Sequence, residues 1–280
     1  MIYHYLIMMR PSQWLKNLML FFPPLLAGQI LLPGVIIRGV VPIGAFCLVS
    51  SAGYIFNDLL DCKRDIHHPQ KCLRPIPAGM ISLYGASTLS ALLLIGGLVL
   101  ASLISLPFLL LLAGYAVISI SYSLLLKTFP VVDLFCISAG FLIRLQAGGV
   151  LFQIPISNWL FLTVFLLAMF LSTGKRMSEL RLLGDAAGEH RSSLACYPEG
   201  FLVGTLYLTG CSVLVTYAIY TLQKPKLVYT VPLCIFGLLR YVLRVSSGKG
   251  GDPTESLLED WGLLVVSLLW VIMVVCSIYR

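Results

Sequence analysis

For 52 consecutive residues, 75–126, this chain carries no charged side chain. A helix needs about 20 apolar residues to cross the ~30 Å hydrocarbon core of a bilayer, so this run is too long for a single crossing. It breaks naturally around residues 105–107, which predicts two spanning helices. Residues 18–37 and 39–57 are likewise free of charge, and each suffices for one crossing. Residues 134–173 hold a single charge, Arg144, and break near 154–158, giving two more. Residues 201–222, 228–243 and 261–279 supply the last three, the eighth trimmed by Arg240 and Arg244. Nine transmembrane helices are therefore expected. A composition 59% hydrophobic and 11% charged, with mean hydropathy +0.95, excludes a soluble domain. The expected class is an all-α membrane protein, residues 1–280 forming one polytopic domain.

Charge sets the orientation. With the N-terminus cytoplasmic, 14 of the 19 lysines and arginines fall on the cytoplasmic side, as the positive-inside rule requires. All 12 acidic residues fall on that side or at its edge. Acids are nearly indifferent to the topology rule, so their one-sidedness points to a working face. The net charge of +7 suits anionic lipid headgroups and phosphorylated substrates; nucleic acid is not indicated. The eight cysteines are scattered without a C-x-x-C pair and read as small apolar fillers. Residues 2–9 lack a basic start and a small-residue cleavage site, and read as an interfacial lead-in.

Polar residues concentrate in two cytoplasmic loops, at about 57–82 and 174–200. In the first, Asp58, Asp61 and Asp65 stand at i, i+3 and i+7, so on a helix the three carboxylates share one face, with Asn57 at its edge. Carboxylates this close repel unless a cation sits among them. A hard divalent ion such as Mg²⁺, held by Asp58, Asp61 and Asp65, takes oxygen ligands and keeps a phosphate as partner. Lys71 and Arg74 follow at once. The second loop carries Lys175, Arg176 and Glu179, where Lys175 and Glu179 at i, i+4 can pair or point together into a cavity. Tyr122 and Lys127 flank the turn before the fifth helix. Arg144 follows Asp133 by eleven residues, about 16 Å along that helix. An arginine at that depth costs at least ~2.5–3.5 kcal/mol and so implies a polar interior or a bound anion. A third polar stretch, 246–260, is rich in glycine and acid, and no chemistry is assigned to it.

Together these parts describe metal-assisted displacement of pyrophosphate at a membrane. Lys16, Lys71, Arg74, Lys127 and Lys175 would hold phosphate oxygens. The departing carbon would be an allylic cation or a ribosyl oxocarbenium, steadied by carboxylates and aromatic faces.

The pattern Asn57-Asp58-x-x-Asp61-x-x-x-Asp65 resembles the first aspartate-rich motif of the UbiA prenyltransferase superfamily. The likeness extends through Arg10-Pro11-Ser12-Gln13-Trp14-Leu15-Lys16-Asn17, the His67, Pro69, Lys71, Arg74, Pro75, Ile76 run and Tyr122-Ser123-Leu124-x-x-Lys127. It continues through Gly140-Phe141-x-x-Arg144-x-x-Ala147-Gly148-Gly149, Gly174-Lys175-Arg176-x-x-Glu179 and Gly251-Asp252-Pro253-Thr254-Glu255. These fit a branch similar to phosphoribosyltransferases that act on a decaprenyl-type phosphate. The resemblance implies helices bundled around a central cavity open to the cytoplasm, in a bacterial plasma membrane, with phosphoribosyl pyrophosphate, a polyprenyl phosphate and Mg²⁺ as partners. Aromatic prenyltransferases of the superfamily carry a second Asp-x-x-x-Asp motif after helix 6. Here Lys175-Arg176-x-x-Glu179 stands there, with Asp185 six residues later, which favours a ribosyl donor.

Under this resemblance Asn57, Asp58, Asp61 and Asp65 would hold Mg²⁺, and Asp58, Asp61, Lys175 and Glu179 are the catalytic candidates. Lys16, Asn57, Lys71, Arg74, Tyr122, Lys127, Arg144 and Arg176 would bind substrate. A prenyltransferase moving an isoprenoid from its pyrophosphate to an aromatic or other acceptor is the alternative. A cation-coupled transporter is disfavoured, because the acids cluster on one face rather than at broken helices in mid-membrane. Assembly as a homo-oligomer stays open.

Overall fold

The computed structural model describes residues 2–66, 71–184, 188, 192–224 and 226–279; His67, Pro69 and Asp185 of the motifs above lie outside them. Eight helices among the described residues are long and apolar enough to cross a membrane. They are α1 (Val35–Asp65), α2 (Leu83–Ser102), α3 (Leu106–Leu124), α4 (Val132–Phe152), α5 (Asn158–Leu183), α6 (Phe201–Leu222), α7 (Val231–Ser246, whose span begins with the 3-10 turn Leu227–Thr230) and α8 (Trp261–Tyr279). The breaks expected at 105–107 and 154–158 are present. Ser105 and Ser157 cap the new helices by accepting from the backbone N–H of Phe108 and Leu160.

The crossing expected over 18–37 is not a single long helix. The chain there forms a tight 3-10 segment, Pro11–Phe21, then five α-helical residues, Phe22–Leu26. Pro23 and Pro24 supply no N–H donors, and Gly28 and Gly34 adopt left-handed φ values of +75° and +82°, so the helix cannot run through. The segment packs instead against α1 and α4.

Two helices overshoot the membrane. The 31 residues of α1 span about 46 Å, well beyond the ~30 Å core. No glycine or proline interrupts 54–65, so Asn57, Asp58, Asp61 and Asp65 stand on its last turns rather than in a loop. The 26 residues of α5 likewise carry Lys175, Arg176 and Glu179 outward as helix. The two polar connections are thus shorter than expected, beginning after Asp65 and after Leu183. With helices alternating in direction, the ends of α1, α3, α5 and α7 and the starts of α2, α4, α6 and α8 share one end of the bundle. Every acidic residue described lies toward that end.

Candidate active site

At the polar end, α1, α3, α4, α5 and the N-terminal segment enclose a cavity of about 240 Å³. Seven basic side chains line it against two acidic ones, Asp61 and Glu179. The three aspartates of α1 do not converge on one point; they are divided among cations. Asp58 is 2% exposed and takes Arg10 and Arg74, the latter at 2.9 Å. Asp65 takes the same Arg74 Nη1 at 2.8 Å. Asp61 accepts from Lys127 Nζ at 2.6 Å and from Asn57 Nδ2 at 3.0 Å, while Lys127 also donates to Asn57 Oδ1. Among the described residues no three acidic, histidine or cysteine side chains already form a cation cage. Asn57 and Asp61 line the cavity, while Asp58 and Asp65 are held by the lining residues Arg10 and Arg74. This donor set is all oxygen and suits a hard cation once an incoming anion draws the basic groups away.

The second half of the site is built on a buried ion pair. Arg176, 1% exposed, donates from Nε to Asp133 Oδ2 at 2.7 Å, Asp133 being wholly buried. Its other nitrogens donate to Glu179 (2.5 Å) and to the Tyr122 hydroxyl (3.0 Å), so one guanidinium orients two cavity-lining groups. Tyr197 completes the knot by donating to Asp133 Oδ1 while accepting from the Val131 N–H. The pairing of Lys175 with Glu179 open to an i, i+4 spacing gives way to two others: Arg176 with Glu179, and Lys175 with Asp252 at 2.7 Å. Both side chains nevertheless line the cavity.

Arg144 forms the cavity floor, 4% exposed. Nε donates to Asn17 Oδ1 (2.8 Å), Nη1 to the Gly140 carbonyl (2.9 Å) and Nη2 to the Tyr115 hydroxyl (2.9 Å). The guanidinium also lies 4.5 Å over the Tyr115 ring. All three donor directions end on neutral partners, and among the described residues no carboxylate pairs with Arg144, so its positive charge is available to an anion.

Lys16 and Lys71 also line the cavity. Burial pushes the Lys16 ammonium down to about 8; Asp252 opposes this, and Lys175, Arg144 and Arg10 reinforce it. Burial would raise the Asp252 carboxyl, but Lys175 and Lys16 outweigh it and hold the group well below the usual range.

Two groups were absent from the sequence-derived candidates. Arg10 adopts a left-handed φ of 53°, unusual outside glycine, and reaches Asp58 forty-eight residues away. Asp252 reaches Lys175. Its signal was present in the Asp252-Pro253 pair, the signature of a helix N-cap followed by Pro at N1. Asp252 does accept from the N–H groups of Thr254 and Glu255.

Comparison with known proteins adds independent findings. The UbiA prenyltransferase family model matches residues 21–264. The chain is similar to the decaprenyl-phosphate phosphoribosyltransferase of Mycolicibacterium smegmatis, 31% identical over 96% of this chain and 91% of that protein. Its Corynebacterium glutamicum counterpart of the same name is 32% identical over 97% and 85%. Among solved structures, a UbiA homolog from Archaeoglobus fulgidus bound to GPP and Mg²⁺ superposes with a TM-score of 0.77. That likeness covers 99% of this chain and all of the other, at 21% identity, and shows the shared fold.

Proposed function

Because this chain belongs to the UbiA prenyltransferase family, and is accordingly a multi-pass membrane transferase, we propose that it moves 5-phosphoribose from phosphoribosyl pyrophosphate to a polyprenyl phosphate of the decaprenyl type. The observation that carries this reading is the charge of the cavity, seven basic side chains against two acidic ones. A prenyl pyrophosphate brings one pyrophosphate. Phosphoribosyl pyrophosphate brings a second phosphate, and its acceptor a third. Arg10, Arg74, Lys175 and Arg176 are shared with Asp58, Asp65, Asp252 and Asp133, and Lys16 and Arg144 stand beyond those pairs, which matches a second set of phosphate ligands. The relatives named for this activity, aligned over nearly the whole chain, support the same choice.

The parts then divide the work. Arg10, Lys71, Arg74 and Lys127, at the end of α1 and around it, receive the pyrophosphate, the arginines in forked fashion. Asn57, Asp58, Asp61 and Asp65 would hold Mg²⁺, which supplies neutralisation of the leaving pyrophosphate. A phosphate oxygen of the acceptor forms the new bond to ribose C1, and the C1–O bond to pyrophosphate breaks with its electron pair leaving on the pyrophosphate. The acceptor oxygen is already ionised near neutral pH, so no proton is transferred and no general base is assigned. Positive charge developing on the ribose ring faces Asp61, Glu179 and the Tyr122 ring, the last two held by Arg176. Lys16, Arg144 and Lys175 remain for the other phosphates. The excess of Lys and Arg at the polar end supports a cytoplasmic orientation for this site, and the bacterial relatives support a plasma-membrane setting.

The test is direct. Membranes carrying the protein are given labelled phosphoribosyl pyrophosphate, Mg²⁺ and a polyprenyl phosphate, and the lipid extract is counted. Label in the lipid is expected. An unlabelled extract, together with consumption of a prenyl pyrophosphate in the presence of an aromatic acid, would transfer the assignment to the prenyltransferase alternative.

A further inference from the structure

The glycine- and acid-rich stretch 246–260 acquires a place in the fold that its sequence did not reveal. Gly251 lies against Gly174 of α5 so closely that a Cβ at 251 would come within 2.6 Å of the Gly174 carbonyl oxygen. The Tyr241 hydroxyl fastens both strands of backbone, 3.0 Å from the Leu171 carbonyl and 2.7 Å from that of Gly251. The residues following the two glycines, Lys175 and Asp252, are thereby set side by side and pair at 2.7 Å. Lys16 stands in the same charge cluster, yet among the described residues it has no ion-pair partner; Asp252 reaches it only through the field.

This cluster sits at a junction. A second cavity of about 460 Å³, almost wholly apolar, runs between α5, α6, α7 and α8. Lys16, Phe141, Leu171 and Pro253 line both cavities. Along α8 the apolar one extends from Leu263 to Val271, about 12 Å of helix. Ser256, which also lines it, has a buried hydroxyl with no partner among the described residues. Lys16 thus stands on the wall shared by a polar and an oily chamber, with Lys175 on the polar side, and the complementary ligand has an anionic head and one apolar tail.

We propose that the acceptor's phosphate docks between Lys16 and Lys175 at this junction, with the first part of its isoprenoid in the apolar chamber, and that Asp252 is the positioning residue that holds Lys175 there. This rests on the function proposed above and identifies where its second substrate binds. Asp252 and Glu255 face Lys16 and Lys175, and the Arg144 guanidinium that also acts on Lys16 leaves the surroundings net positive, so a phosphate is attracted although Asp252 remains ionised.

The same pair of lysines would also suit the donor's 5-phosphate, and kinetics separate the two. Purified full-length protein in lipid nanodiscs is titrated with each substrate in turn. Lys16→Gln and Lys175→Gln are expected to raise the KM for polyprenyl phosphate at least about tenfold, a lost charge-assisted hydrogen bond each, while the donor KM moves by no more than about twofold. Lys175→Arg should recover most of the loss. Asp252→Asn, which keeps the helix cap, should raise the acceptor KM alone. Gly237 of α7 lines the apolar chamber, and a Cβ there would meet only Val266, at 3.8 Å. Gly237→Leu should therefore penalise a long-chain acceptor and spare a geranyl-length one. A rise in donor KM with the acceptor KM unchanged would assign the lysines to the 5-phosphate and overturn the proposal. So would Gly237→Leu acting equally on short and long chains. Failure of the unaltered protein to label any polyprenyl phosphate would instead overturn the reading of the reaction itself.

Discussion

Replacing Arg176 with leucine removes the cation around which the second half of the site is assembled. Asp133 is 0% exposed and Arg176 1%, with Nε and Oδ2 2.7 Å apart. Deleting one member of such a pair leaves an uncompensated buried charge, at about 3–5 kcal/mol. A larger domain loses about 2–4 °C of melting temperature per kcal/mol, so a fall of roughly 6–20 °C is expected. The assay is a thermal scan of detergent-solubilised protein at one fixed rate, because membrane proteins of this kind unfold irreversibly. Asp133→Asn in the Arg176→Leu background removes the stranded carboxylate and should recover part of the loss, giving a clear coupling in the double-mutant cycle. Turnover measured below both melting temperatures should remain low in the double variant, since Tyr122 and Glu179 have lost their common donor. A single variant melting within about 2 °C of the parent, or strict additivity in the cycle, would refute the buried pair as the organiser of this region.

Asp61→Asn keeps the shape of the side chain but removes the charge that faces Lys127 and the cavity; turnover should fall at least about a hundredfold in protein that remains monodisperse, and survival of activity would displace Asp61 from the metal site. Lys16 provides a pH signature. Its ammonium, lowered to about 8 in the fold, is lost as pH rises through that value, so kcat/KM for the acceptor should decline above about pH 8. Stability moves the other way: the folded state binds fewer protons than the unfolded one between about 8 and the ordinary 10.5, so stability rises over that window. Lys16→Arg, in the same field of Asp252, Lys175, Arg144 and Arg10, should move the decline to higher pH; an unchanged profile would exclude Lys16 as its source. Arg144→Lys should fail despite retaining charge, because one ammonium cannot reproduce the planar spread of donors to Asn17, Gly140 and Tyr115; full activity in that variant would make the geometry of the floor irrelevant.

Much of the scaffold was legible in order along the chain. The breaks near 105–107 and 154–158 follow from serine caps and prolines beside uninterrupted apolar runs, and both occur where expected. The nine crossings expected from charge-free length reduce to eight among the described residues, because length and hydropathy do not register that Pro23, Pro24, Gly28 and Gly34 stop a helix. The helices run past the loop starts expected at 57 and 174, to Asp65 and Leu183. A helix that has emerged from the bilayer has no reason to end until its hydrogen bonding is interrupted, and nothing in 54–65 interrupts it.

Composition and local spacing were enough to determine that this protein crosses the membrane many times, that its charge gathers at one face, and that Asp58, Asp61 and Asp65 stand on one side of a helix. Those are properties of neighbours in the chain, governed by hydropathy and by a rise of 1.5 Å per residue. Which cation answers which acid was decided only by packing. Asp58 takes Arg10 across 48 positions, Asp61 takes Lys127 across 66, and Lys175 takes Asp252 across 77. In a chain with more bases than acids, many pairings satisfy the charges equally well on paper. The ones that form are selected by where helices and glycine contacts bring the backbones together, and that selection puts Lys16 on the wall of both chambers and Lys175 on the wall of the polar one.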